Sequence, residues 1–117
     1  MNPAALDRTM MALADPTRRA ILSRLSLGEA RVTDLAKPFH MSLNAVSKHI
    51  LVLERARLVR RRRRGREHLL SATPQPLSAA ADWIDHYRRE WTQRLDRLEQ
   101  YLDELQGREK HHEGRTG

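Results

Sequence analysis

Apolar residues recur along this chain in short blocks at helical spacing, separated by polar breaks. Leu6, Met10 and Leu13 fall on one face of a helix predicted over Ala4 to Ala14. Asp15-Pro16-Thr17 then stops that helix and starts another, with Asp15 as the cap and Pro16 at the first helical position. The second helix, Thr17 to Leu27, buries Ile21, Leu22 and Leu25 and turns Arg18, Arg19 and Arg24 to solvent, and Gly28 ends it. From Val32 to Leu58 the pattern gives two helices joined by a tight turn. Thr33 is the expected cap of a short helix with Leu35, Ala36 and Phe39 on its apolar side, closing near Pro38. His40 and Met41 form the turn, and Ser42 caps a longer helix that buries Val46, Ile50 and Leu53.

The opposite face of that longer helix carries Ser42, Asn44, Ser47, Lys48 and, nearer the edge, His49, with no carboxylate before Glu54. Short hydrogen-bonding groups with one cation suit the floor of the DNA major groove, where base edges offer donors and acceptors. An ordinary helical hairpin with a solvated polar face is the plainer alternative. The next segment favours the DNA reading: Arg60 to Arg64, Gly65 and Arg66 lie between two short extended runs, a β-hairpin with a basic tip of the kind called a wing. After Thr73-Pro74-Gln75-Pro76 a long helix is predicted from about Leu77 to Leu105. On it Ile84, Trp91, Leu98 and Leu105 recur every seven positions, and Tyr87, Leu95 and Leu102 widen the stripe. Such a stripe is more than a small domain covers alone, so pairing with a second copy is expected, with Leu6, Met10 and Leu13 of the first helix contributing. Arg94 and Tyr101 interrupt the repeat, which excludes a long regular zipper.

The fold class is therefore mainly α with a small β-hairpin wing: a winged helix-turn-helix of about five helices dimerising through its terminal helices. Residues 1–106 form one DNA-binding and dimerisation domain, and residues 107–117 (GREKHHEGRTG) are a polar tail expected to be disordered. At 117 residues there is no room for a second core, and no apolar run approaches the ~20 residues of a membrane helix. No membrane partner is expected, and a cytoplasmic location is the default. The net charge of +7 is concentrated: residues 48–66 hold nine Lys and Arg against Glu54 alone, a net +8. A polyanion partner follows, because each neutralised phosphate releases counterions. A nuclear-import signal or an anionic membrane patch would explain an arginine run, but not one beside a helix-turn-helix.

These segments resemble the ArsR-type (ArsR/SmtB) winged helix-turn-helix regulators in wording as well as order. MALADPTRRAILSRL resembles the family's second-helix entry, and MSLNAVSKHILVLERARLV its recognition helix running into the first wing strand. RGREHLLSATPQPLSAAADWIDHYRREW resembles the wing end and last helix of a metal-independent branch, so the likeness spans about Leu6 to Leu105. The resemblance implies a homodimeric transcriptional regulator, usually a repressor, on a pseudo-palindromic operator overlapping a promoter. Thiolate-sensing members carry cysteines on the first helix of the helix-turn-helix; here that segment is Arg31-Val32-Thr33-Asp34-Leu35-Ala36, and the chain has no cysteine. Other members bind metal with an Asp and a His two residues apart plus a second His and a carboxylate. Here Asp82 is followed by Trp83 and Ile84, and Asp85 and His86 are adjacent, so their side chains diverge on a helix. His111-His112 is at most an adventitious metal ligand. No metal and no cofactor are expected.

No Gly-rich phosphate loop or nucleophile with a positioned base is present, so an enzyme is not expected. The candidate DNA contacts are Asn44, Ser47 and Lys48 at base edges, with Ala45 beside them. Ser42, Thr33 and His49 are assigned to phosphates, and Arg61, Arg62, Arg63, Arg64 and Arg66 to the flanking backbone or minor groove. Two other classes fit a winged helix: an architectural protein without sequence preference, and a protein-interaction module. Whether an effector exists, small molecule or protein, is left open at this level.

Overall fold

The computed structural model describes residues 2–116, with side chains through Gly107. The elements run α1 (Pro3–Leu13), α2 (Pro16–Leu25), β1 (Ala30–Arg31), α3 (Val32–Ala36), α4 (Leu43–Arg55), β2 (Val59–Arg64), β3 (Glu67–Ala72) and α5 (Gln75–Thr116). The five helices and the wing agree with the winged helix-turn-helix pattern. The boundaries follow from local chemistry. Asn2 caps α1 by accepting the Ala4 amide at 2.9 Å, and Asp15 caps α2 by accepting the Arg18 amide at 3.1 Å. Gly28, at φ 135°, carries the chain out of α2 through a conformation that other residues rarely adopt.

The chain forms two compact units, Met1–Ala81 and Asp82–Gly117. In the first, Ile21, Leu35, Val46, Ile50, Leu53, Leu58 and Leu70 are fully buried, so α2, α3, α4 and β3 each contribute to one core. On α1 the most buried positions are Thr9 and Ala12. Leu6 and Met10 are half-buried, and Leu13 packs against the core, so part of the surface expected to serve a dimer is covered within the chain.

The sheet has three strands in the order β1-β3-β2, all antiparallel. The sequence pattern foresees the β2–β3 hairpin, whose tip Gly65 sits at φ 62°, but not β1, whose Ala30 and Arg31 pair with Leu70 and Leu69. This strand also corrects the start of α3. Arg31 stays extended to pair with β3, so it occupies the N-cap position without a side-chain cap bond, and Thr33 lies inside the helix.

From Asp82 onward α5 forms the second unit. Every large apolar residue along it is exposed, from Ile84 and Tyr87 through Trp91 at 58% and Leu95 at 59% to Leu98, Leu102 and Leu105. Trp83 and Tyr87 pack ring to ring at 4.5 Å, and the Arg94 guanidinium lies 5.9 Å from the Trp91 ring centre. The tail expected to be disordered, residues 107–117, falls largely on residues whose side chains lie outside the described part. No helix among the described residues is long and apolar enough to cross a membrane.

Candidate nucleic-acid interface

The interface is built on α4. Ser42 Oγ accepts the Ala45 amide at 3.1 Å, which fixes the first turn. The amides ahead of it have no intrahelical partner, so the N-terminal end carries partial positive charge toward whatever lies beyond it. Val46, Ile50 and Leu53 point into the core, which forces the opposite ridge outward: Asn44, Lys48 and Leu51. Ser42, Asn44 and Lys48 are exposed, while Ala45 and Ser47 are half-buried on the flanks. Leu51, 43% exposed on the same ridge, is absent from the sequence-derived set. Its signal was available: an apolar residue four positions from the half-buried Ser47 and three from Lys48 cannot face the core that Ile50 faces.

His49 has a different setting. It is only 22% exposed, its Nδ1 lies 3.2 Å from Arg18 Nη1, and Asp15 Oδ2 is 3.7 Å away. The ring therefore joins α4 to the entry of α2 and does not stand on the ridge with Asn44 and Lys48. The same joint corrects the picture of Arg18 and Arg19 as a solvated basic face. Arg18 donates to the carbonyls of Ala12 and Met11, both at 2.8 Å, and Arg19 donates to that of Leu13 at 2.8 Å. The Met11 carbonyl also accepts the Ala14 amide at 3.2 Å, whereas those of Ala12 and Leu13 lie at the end of α1 where helical donors run out, and the two guanidinium groups satisfy them. Partial burial pushes the Asp15 carboxyl up, but the Arg18 amide, the His49 ring and the Arg18 guanidinium together hold it below the usual aspartate range.

The wing arginines are not equivalent. Arg61 donates to Glu54 Oε1 of α4 at 2.7 Å, and Arg62 to Glu29 Oε1 at 2.7 Å. The Arg62 hydrogen bond holds the Glu29 carboxyl below its ordinary range, and Glu29 in turn raises Arg62. Arg31 bridges Asp34 at 2.9 Å and Glu67 at 3.0 Å, and Lys37 reaches Asp34 at 3.1 Å. Arg31, Leu69 and Arg62 are cross-strand neighbours on one side of the sheet. Leu69 lies between the two arginines in register and is only 9% exposed. Nearer the tip, Arg63 donates to the Gly65 carbonyl at 3.1 Å, bracing the turn. Arg64 and Arg66 make no side-chain hydrogen bond or ion pair among the described residues, so the tip holds the cations free to meet an anion. Thr33 is exposed on α3, which precedes α4 across the turn.

Among the described residues no group of three or more His, Asp or Glu is placed to hold a metal ion. Asp85 is paired with Arg88 at 3.3 Å, and His86 Nε2 lies 3.3 Å from Glu90. His111-His112 lies outside the described side chains.

A capped helix with a polar outer ridge, preceded by a short helix and followed by an arginine-tipped hairpin, defines a winged helix-turn-helix DNA-binding protein. A model of the helix-turn-helix domain matches residues 13–62, from the end of α1 into β2. The chain is 40% identical over 97 residues to the HTH-type transcriptional regulator Rv2034 of Mycobacterium tuberculosis, covering 83% of this chain and 88% of that protein. The crystal structure of an ArsR-family transcriptional regulator superposes with a TM-score of 0.75 at 40% identity, covering 79% of this chain and 95% of that one. A solution structure described as the homodimeric winged helix-turn-helix DNA-binding domain of a possible ArsR-family regulator from Mycobacterium bovis gives a TM-score of 0.60 at 25% identity, covering 76% and 82%. The chain belongs to the ArsR-type family of winged helix-turn-helix transcriptional regulators.

Proposed function

We propose that the chain acts as a homodimeric repressor that binds a pseudo-palindromic operator, with residues 1–106 working as one DNA-binding and dimerisation domain. The observation that carries this reading is the outward ridge of α4, polar and cationic where a helix serving only the core would be covered or acidic. Two such ridges enter successive major grooves about one helical turn, or ~34 Å, apart. Asn44, Ser47 and Lys48 read base edges, Asn suited to adenine and Lys to guanine, and Leu51 is placed to meet a thymine methyl. Ser42, Thr33 and the α4 N-terminus hold phosphates, and Arg63, Arg64 and Arg66 at the wing tip hold the flanking backbone or enter a narrow minor groove.

The second copy is supported by the uncovered stripe on α5. An apolar face repeating at Ile84, Trp91, Leu98 and Leu105 reaches a stable state by burying itself against an equivalent face. Repression follows from occupancy: a dimer spanning two major grooves over a promoter excludes other proteins from the same DNA. The chain works by binding, and no catalytic step enters. Selection of bound duplexes from a random pool tests the reading. The expected result is an inverted repeat with half-site centres about 10–10.5 base pairs apart. Recovery of no motif would leave a non-specific DNA binder or a protein-interaction module.

A further inference from the structure

A cavity of about 680 Å³ opens where α1, the end of α4, the start of β2 and the first turn of α5 meet, all within residues 1–81. Arg8, Arg55, Arg57 and Arg60 line it, and its one acidic neighbour, Glu54, is already engaged by Arg61. None of the four arginine side chains makes a hydrogen bond or ion pair among the described residues. Four like charges around one hollow repel one another, and among the residues that line it only Glu54 carries the opposite charge.

A solvated basic helix end accounts for Arg55, which sits in the last turn of α4, where a cation complements the negative end of the helix dipole. It does not account for Arg8, which comes from a different helix, or for Arg57. The latter is the one residue other than glycine at positive φ among the described residues, at 59°. It occupies the position after the α4 cap where glycine is the usual choice. Its amide donates to the Glu54 carbonyl at 2.9 Å, and the Leu58 amide to that of Leu53 at 3.0 Å. A side chain held at a costly backbone angle beside three unpaired cations has the character of a ligand clamp. Val59 and Pro76 give the hollow an apolar wall, and its volume falls in the range of small-molecule sites.

We propose that this cavity binds a small organic anion carrying two or more phosphate or carboxylate groups. The guanidinium groups hold the anionic ends in the bidentate geometry they favour, and the apolar wall covers the body of the molecule. The site is separate from the α4 ridge and the wing tip, so it does not depend on the DNA reading.

Calorimetric titration of the full chain with pyrophosphate and with citrate, in phosphate-free buffer against KCl of equal ionic strength, tests the proposal. The expected result is saturable binding of at least one probe at one site per chain, weakened tenfold or more by Arg8→Gln and by Arg57→Gly. Stronger binding of pyrophosphate assigns the phosphate class, and stronger binding of citrate the carboxylate class. Both variants should keep wild-type affinity for a scrambled duplex, and Arg57→Gly keeps the test valid even if Arg8→Gln folds poorly. The proposal is overturned if neither probe binds beyond the KCl control, or if Arg57→Gly binds the probes as wild type does. It is also overturned if both variants lose duplex affinity without any probe binding, which would assign these cations to the DNA backbone.

Discussion

Arg57→Gly is expected to make the protein more stable while removing a cation from the α1–α4 cavity. The left-handed conformation costs a residue with a Cβ about 1–2 kcal/mol, and Arg57 adopts it at φ 59°. Glycine removes that cost, but its greater freedom in the unfolded chain takes back roughly 0.5–1 kcal/mol. A net gain of about 0.5–1 kcal/mol remains. The backbone bonds that close α4, Arg57 to Glu54 and Leu58 to Leu53, involve no side chain and survive the change. Loss of the guanidinium also relieves repulsion from Arg8, Arg55 and Arg60, and Arg57→Ala isolates that contribution, because alanine loses the charge but keeps the Cβ. Glycine should exceed alanine by about 0.5–1 kcal/mol in urea unfolding at fixed protein concentration, or by roughly 2–4 °C in thermal midpoint for a domain of this size. Equal stability of the two variants would refute the reasoning, since the backbone angle would then carry no cost.

Four further outcomes follow from the interface and from α5. Ser42→Ala should lower stability by about 1 kcal/mol through loss of the Ala45 amide bond. Ser42→Asp should keep the cap and the stability, yet weaken duplex binding at least tenfold by placing a carboxylate against phosphate; a variant that binds DNA normally would remove Ser42 from the contact surface. Glu29→Gln releases Arg62, whose guanidinium is held at 2.7 Å. Binding to a scrambled duplex should then steepen in salt dependence by about one phosphate contact, a slope change of ~0.9, and an unchanged slope would show that Arg62 stays away from DNA. Leu98→Glu should convert the dimer to monomer in sedimentation velocity, because the charge falls in the middle of the α5 stripe. A variant that still sediments as a dimer would place the contact elsewhere.

Much of the fold was readable from local chemistry. Asp15-Pro16, Ser42 and Gly65 each mark a cap or a turn through their own side chain or lack of one, and the spacing of Val46, Ile50 and Leu53 orients α4 without help from the rest of the chain. What escaped the sequence depends on contacts between distant segments. A two-residue strand such as Ala30–Arg31 has no alternation to detect, and its pairing with β3 moved the α3 cap from Thr33 to Arg31. The capping of α1 by Arg18 and Arg19 needs the α1–α2 angle before the guanidinium groups can be placed. The division of the arginine run needs Glu29 and Glu54, which sequence order sets far from Arg62 and seven residues from Arg61. A run of five identical residues carries no internal signal of which members are occupied. His49 likewise sits at the edge of the polar face in sequence, and only the approach of α2 draws it toward Arg18.

The most direct test of the account is a titration of the full chain against the DNA upstream of its own gene and against a scrambled duplex, at two salt concentrations, with and without a chelator. The account predicts a preference of about a thousandfold or more for the upstream DNA, unaffected by chelator. Equal and steeply salt-dependent binding to both duplexes would contradict it, leaving the wing as a polyanion holder and the α4 ridge without a role in reading bases.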